Sequence, residues 1–246
     1  ANVLVNVLIP VLALSYLSKD LEFQRAIGKA VQPWHIGPVK ALMVALAFPI
    51  AYGIRHFIKT RKANFFSALG LFSVLLTGGL TIFLWNKDGT IKPNADVLFG
   101  LKEASIPLIL GIAVIGSHFT STPLIRTFLY SDTMFDIARI EKEIDAHNAR
   151  PDYVKIIFQA TLLFAASFFI SALLNFGLAV HFLGDLDPSA PNARVLYNSQ
   201  VAKLTGWGFA VIGLPMLIFL FITLRRMITQ LSRLTGLKEE EIMLPR

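Results

Sequence analysis

Lys102, Glu103, Asn175 and Lys203 are the side chains with which this otherwise apolar chain could build a polar site. An ionisable group at membrane depth is costly unless it is paired or wetted, so such residues are the first candidates for function. Lys102 and Glu103 open a long apolar run, with Pro107 about one turn later. They read either as an interfacial pair that snorkels to water or as a polar site facing a helix bundle. Further along, Gln159, Ser167, Ser171 and Asn175 fall in another apolar run, and the last three recur every fourth residue. That spacing puts them on one helical face, where small polar side chains serve close helix packing or line a solute path. If the bundle holds a polar cavity, Glu103, Asn175 and Lys203 lie near its outer end.

Other chemistry finds little support. His35, His56, His118, His147 and His181 are scattered, without an HExxH motif or an i,i+4 pair, so no metal centre is expected. There is no phosphate-cradling Gly-Lys-Ser/Thr loop, dinucleotide fingerprint or GxSxG elbow. Glu103 alone does not make an acid and base pair. The absence of cysteine removes disulfides, thiolate metal sites and cysteine nucleophiles. The expectation is a protein with no catalytic residues and no cofactor, and hence not an enzyme.

The elements that must position these residues are apolar runs from Val3 to Tyr16, Ala41 to Ile54, Phe65 to Trp85, Val97 to Phe119, Ile156 to Leu183 and Leu204 to Leu224. A helix of about 20 apolar residues crosses a hydrocarbon core about 30 Å thick while satisfying its own backbone. With 54% hydrophobic residues, 16% charged and 20 Phe, a soluble surface would lack polar cover. The expected fold is all-α: a polytopic transmembrane helix bundle of six spans, forming a single transmembrane domain over residues 1–246. The first run is short and holds Asn6 and Pro10, so five spans plus a surface helix is the alternative. No signal peptide is expected, because the first apolar run has no basic flank before it and no small-residue cleavage site after it.

The net charge is +7, but the basic residues gather at span ends, which the positive-inside rule explains better than nucleic-acid binding does. Arg55, Lys59, Arg61 and Lys62, then Arg126, Arg139, Lys142, Arg150 and Lys155, then Arg225, Arg226, Arg233, Lys238 and Arg246 share one side in a six-span arrangement. Both termini are therefore expected in the cytoplasm. Residues 131–151 are expected as a cytoplasmic loop with a short amphipathic helix capped by Thr133 and carrying an Arg139–Glu143 pair. Leu186 to Asn198, with Pro188 and Pro191, reads as an irregular outer loop, and Trp34, Trp85 and Trp207 as boundary aromatics.

Several segments carry a family resemblance. These are Arg61-Lys62, Leu75-Leu76-Thr77-Gly78-Gly79-Leu80-Thr81, the Lys102-containing entry into the fourth span, Ser171-Ala172-Leu173-Leu174-Asn175-Phe176 and Lys203-Leu204-Thr205-Gly206. Together with Leu8-Ile9-Pro10-Val11 and Tyr16, they make the chain resemble the intracellular septation protein A family of bacterial inner-membrane proteins, as a longer branch. The charged insert from Ser131 to Pro151 and the longer loop before Lys203 depart from the compact family pattern. The resemblance implies a multi-pass inner-membrane protein linked to envelope maintenance, elongation and division, and it brings no catalytic residues. The expected partners are membrane lipids and other membrane proteins, not nucleic acid, with a homodimer or membership of a complex compatible. Two further readings are a small-solute or lipid transporter lined by Glu103, Asn175 and Lys203, and an accessory subunit of a larger membrane complex.

Overall fold

The computed structural model describes residues 9–244, apart from residues 18, 20, 27, 29, 61–64 and 87. The start of the first apolar run, the Arg61-Lys62 turn, Lys29, Lys87 and Arg246 lie outside the described residues. Regular structure among those described is helical throughout: α1 Ile9–Leu17, α2 Leu21–Ala26, α3 Pro38–Thr60, α4 Phe65–Leu84, α5 Ala95–Ser117, α6 Leu124–Phe128, α7 Ile137–Ala146, α8 Arg150–Leu183, α9 Ala193–Gly208, α10 Leu214–Thr235 and α11 Glu239–Ile242. Isolated bridges join Trp85 to Ile91 and Phe135 to Met243.

Three helices among the described residues are long and apolar enough to cross a membrane: α5, α8, and the continuous helix Ala193–Thr235 formed by α9, α10 and the segment between them. This is a multi-pass helical membrane protein. At about 1.5 Å per residue, the 34 residues of α8 reach well beyond a hydrocarbon core, so part of it must stand in water or headgroups. Its first turns carry Asp152 and Lys155, as that length requires.

The loop before the last span is shorter than the irregular segment Leu186 to Asn198 that its composition suggests, because α9 starts at Ala193. The turn is complete by then. Asp187 accepts hydrogen bonds from the Ser189 amide at 2.9 Å and hydroxyl at 2.6 Å, and the Ala193 amide donates to Ala190 at 2.9 Å. No proline follows until Pro215. That proline has no N–H to give to the preceding turn, and Phe209–Gly213 relaxes into a π-helical segment in which the Leu214 amide reaches back to the Phe209 carbonyl.

The cap of α7 also differs from expectation. Asp136, not Thr133, is the N-cap, and its carboxylate accepts the Arg139 amide at 3.0 Å. Thr133 instead shares a 2.8 Å hydroxyl contact with Ser131. The bridge of Phe135 to Met243 ties this turn to the C-terminal segment, with the Asp136 amide donating to Ile242 and the Leu244 amide to Met134, both at 3.0 Å. Arg139 pairs with Glu241 at 2.7 Å rather than with Glu143.

The chain divides into two compact units, Ala1–Lys102 with Ala179–Lys203, and Glu103–Leu178 with Leu204–Arg246. In the first, α1 packs on α3 and α3 on α4. In the second, Val114, Phe164 and Ala165 form a small core between α5 and α8. Gly111 permits that approach, since a Cβ there would stand 2.7 Å from the Phe169 ring. A larger core joins α6, α7, α11, the start of α8 and the end of α10 through Ile125, Tyr130, Phe135, Ile140, Ile144, Met227, Leu231 and Ile242, all buried. We refer to this part as the cap.

Candidate functional site

The four residues nominated from sequence divide between the units, Lys102 and Lys203 in the first and Glu103 and Asn175 in the second. Lys102 is half-buried and sets its ammonium 4.5 Å from the centre of the Phe99 ring, a cation–π contact. Glu103 is half-buried and Lys203 exposed. Asn175 turns to its own helix, its Nδ2 donating to the Ser171 carbonyl at 2.8 Å and hydroxyl at 3.3 Å. Ser167 and Ser171 are buried, as the shared-face spacing requires, and Ser167 donates to the Phe164 carbonyl at 2.7 Å.

A more fully built site lies in the second unit, where α5 ends. A cavity of about 320 Å³ is lined by His118, Thr120, Ser121, Arg126 and Tyr153, with Pro123, Val154 and Ile157 as its apolar wall. Local chemistry fixes its frame. Ser117, at the last position of α5, donates to the Val114 carbonyl and accepts the Leu124 amide, both at 2.8 Å, and so ties the end of α5 to the start of α6 across the intervening loop. Helix α6 carries Arg126, whose guanidinium is 3.4 Å from Glu141 on α7. From α8, buried Tyr153 donates to the Tyr130 hydroxyl at 3.4 Å. Burial, reinforced by Tyr153, pushes the Tyr130 phenol well above the ordinary tyrosine range, so Tyr130 stays neutral.

The imidazole of His118 sits against Phe158 and Phe119, with ring centres 4.9 and 5.3 Å away. Its Nδ1 is buried and has no hydrogen-bond partner among the described residues. Leaving such an atom unpaired costs about 1–3 kcal/mol, which marks the ring as unusual for a purely structural residue. The polar wall thus consists of a guanidinium, an imidazole and three hydroxyls, without a carboxylate. Its chemistry suits an anion or a strong acceptor.

Two grooves flank α10. One, of about 480 Å³, is lined by Phe221, Ile222, Arg225, Arg226, Thr229, Gln230 and Arg233. The other, of about 360 Å³, lies between α8 and α10 and includes Asp152, Lys155, Gln159, Gln230 and Arg233. Above the first groove on the same helix, Leu214, Leu217, Ile218, Phe221 and Ile222 are 51 to 67% exposed. An apolar face therefore runs directly into arginines, as at a hydrocarbon-to-headgroup boundary. Arg225 is paired with Glu239 at 2.5 Å.

The first unit holds a separate polar cluster. Arg194 is 3% exposed, donates from Nη2 to the Asn86 carbonyl, and lies 5.0 Å from the Trp85 ring centre. Trp85, expected as a boundary aromatic, thus also serves as the platform for a buried guanidinium. Around it the Ile91 amide donates to Pro188 at 3.0 Å and the Arg194 amide to Gly89 at 3.1 Å. Gly89 takes φ +90°, and a Cβ there would meet the Pro191 carbonyl oxygen at 2.6 Å, so only glycine suits this turn. Neither this cluster nor the cavity at the end of α5 was nominated from sequence, because each is assembled from residues far apart in the chain. Comparison with protein-family models, curated proteins and solved structures returns no match to this chain.

Proposed function

We propose that this chain is a non-enzymatic, six-span protein of the bacterial inner membrane that supports envelope biogenesis or division through contacts with membrane lipids and other membrane proteins. The observation that carries this reading is α10, where an exposed apolar face passes within about one turn into Arg225 and Arg226, with Arg233 two turns further on. Such a surface suits hydrocarbon beside an acidic headgroup layer or the flank of another membrane protein. In this six-span reading the shorter apolar stretches Met43–Tyr52 of α3 and Ala68–Leu84 of α4 belong to two further spans, and the apolar run from Val3 to Tyr16 is the sixth. The resemblance to the septation protein A family supports the envelope role. The positive-inside distribution supports a cytoplasmic cap and cytoplasmic termini.

Purification of the full chain in mild detergent, followed by mass spectrometry of whatever remains bound, tests this reading. Retained membrane protein or acidic lipid, reduced in the double variant Arg226→Gln/Arg233→Gln, is the expected result. Recovery of the bare protein, with the double variant indistinguishable from wild type, would sink it. Topology is accessible separately because the chain has no cysteine. Asn148→Cys and Ser189→Cys should react with an impermeant thiol reagent from opposite faces of the membrane, Asn148→Cys from the cytoplasmic one.

A further inference from the structure

The polar side chains lining the cavity at the end of α5 converge from three elements: His118, Thr120 and Ser121 from the loop after α5, Arg126 from α6 and Tyr153 from α8. Thr120 spends its proton on the Ser117 carbonyl at 2.7 Å and Tyr153 on the Tyr130 hydroxyl at 3.4 Å, which leaves Arg126, Ser121 and the His118 imidazole to donate to a ligand. We propose that this cavity binds a phosphoryl group, presented by a phospholipid headgroup or by a soluble phosphomonoester. The guanidinium of Arg126 offers the planar fork that pairs with two phosphate oxygens. Ser121 brings a short hydroxyl rotor for a remaining oxygen, which a flat carboxylate would not use as fully. A second, independent observation is the Nδ1 of His118, a buried polar atom on a lining residue with no hydrogen-bond partner among the described residues. At about 320 Å³, the cavity falls at the small end of the range of ligand pockets, about 300–1,000 Å³. Two features bear on the source of the phosphate. Val154, which lines the cavity, is 51% exposed, and Phe119, between the lining residues His118 and Thr120 in the chain, is 79% exposed; both would lie along acyl chains, which favours the lipid. Glu141 pairs with Arg126 at 3.4 Å and competes with any ligand for this guanidinium.

The test uses the full chain in a non-ionic detergent, titrated calorimetrically with three probes: a short-chain phosphatidylglycerol, the matching diacylglycerol, and glycerol 3-phosphate. Saturable binding of a phosphate-bearing probe is expected, with none of the diacylglycerol. Phosphatidylglycerol alone binding identifies a lipid, and comparable binding of glycerol 3-phosphate identifies a soluble ligand. Arg126→Gln should weaken binding about tenfold or more, as loss of a charge-assisted pair does, and Ser121→Ala about two- to fivefold. Glu141→Gln should strengthen it, an increase that a merely structural role would not produce. Should Arg126→Gln lower the melting temperature sharply, the surface changes Ser121→Ala and Glu141→Gln decide instead. The proposal is overturned if no phosphate-bearing probe binds, if diacylglycerol binds equally, or if these variants match wild type. Binding that survives Arg126→Gln but disappears in Arg226→Gln/Arg233→Gln would assign the ligand to the α10 groove, supporting the function proposed above while overturning this inference.

Discussion

The loops around Gly89 and Pro188 are held by backbone hydrogen bonds and one buried guanidinium, whereas the cap is held by apolar side chains from five helices with ion pairs only on its rim. The two regions differ in what a single change removes. In the loops, Arg194 serves several contacts at once, and its loss strands the Asn86 carbonyl and the face of Trp85. In the cap, burial is shared among many side chains and grows with each methylene, while the exposed ion pairs contribute little. Order in the first region is polar and local in space; in the second it is apolar and distributed. Amide exchange followed by mass spectrometry can read the two regions separately in one sample.

The sharpest way to break the contrast is to empty the cap. Phe135 is 1% exposed and packs its ring 5.0 Å from that of Tyr130. Phe135→Ala should cost about 3–5 kcal/mol of cap stability. Exchange at the Asp136 and Leu244 amides should then accelerate, while the Ile91 amide stays protected. Equal acceleration in both regions would show that they do not open separately.

Arg194→Met tests the other side. It keeps much of the stem's volume but removes a charged donor to a buried carbonyl, at a cost of about 1.5–3 kcal/mol. The Ile91 amide, which donates to Pro188, should lose protection while cap amides keep theirs. An unchanged Ile91 would mean that the backbone bonds hold these loops without the guanidinium. Asp136→Ala is a smaller perturbation inside the cap, removing the N-cap acceptor of α7 for about 1 kcal/mol. Its effect should concentrate on the Arg139 amide, the donor that it orphans.

What could be read from sequence follows the same division. The long spans were legible because hydrophobicity summed over some twenty residues is a strong local signal. The shared face of Ser167, Ser171 and Asn175 was legible for the same reason, since helical period fixes it. The cavity at the end of α5 was not, because Arg126 and Tyr153 meet only after α6 folds back beside α8. Nor was the fastening of the cap. A helix offers Arg139 a local partner in Glu143, and local spacing chose it, but the C-terminal segment brings Glu241 to the same guanidinium across about a hundred residues of chain. Local rules rank partners within a helix and carry no information about a competitor that tertiary packing delivers.

That competitor supplies the smallest of the expected effects. Glu241 accepts the Lys238 backbone amide at 2.9 Å and pairs with Arg139, and these two interactions, the backbone bond first, hold its carboxyl below the ordinary glutamate value of 4.5. A carboxyl whose pKa is lower in the folded state stabilises that state above the unfolded pKa and loses the contribution as pH falls through the folded one. The C-terminal fastening should therefore be complete at neutral pH and weaken below about pH 4.5. Because both partners are solvent-exposed, the pair itself is weak and salt-sensitive. Glu241→Gln removes the titrating group, so wild type and variant compared at the same pH cancel the intrinsic pH dependence of exchange. The Leu244 amide should exchange faster in the variant at about pH 6, with the gap narrowing as pH falls below 4.5. A gap that did not narrow at all would show that the side chain acts there through shape or neutral hydrogen bonding, not through its charge, and the rim of the cap would then resemble the loops more closely than its exposed ion pairs suggest.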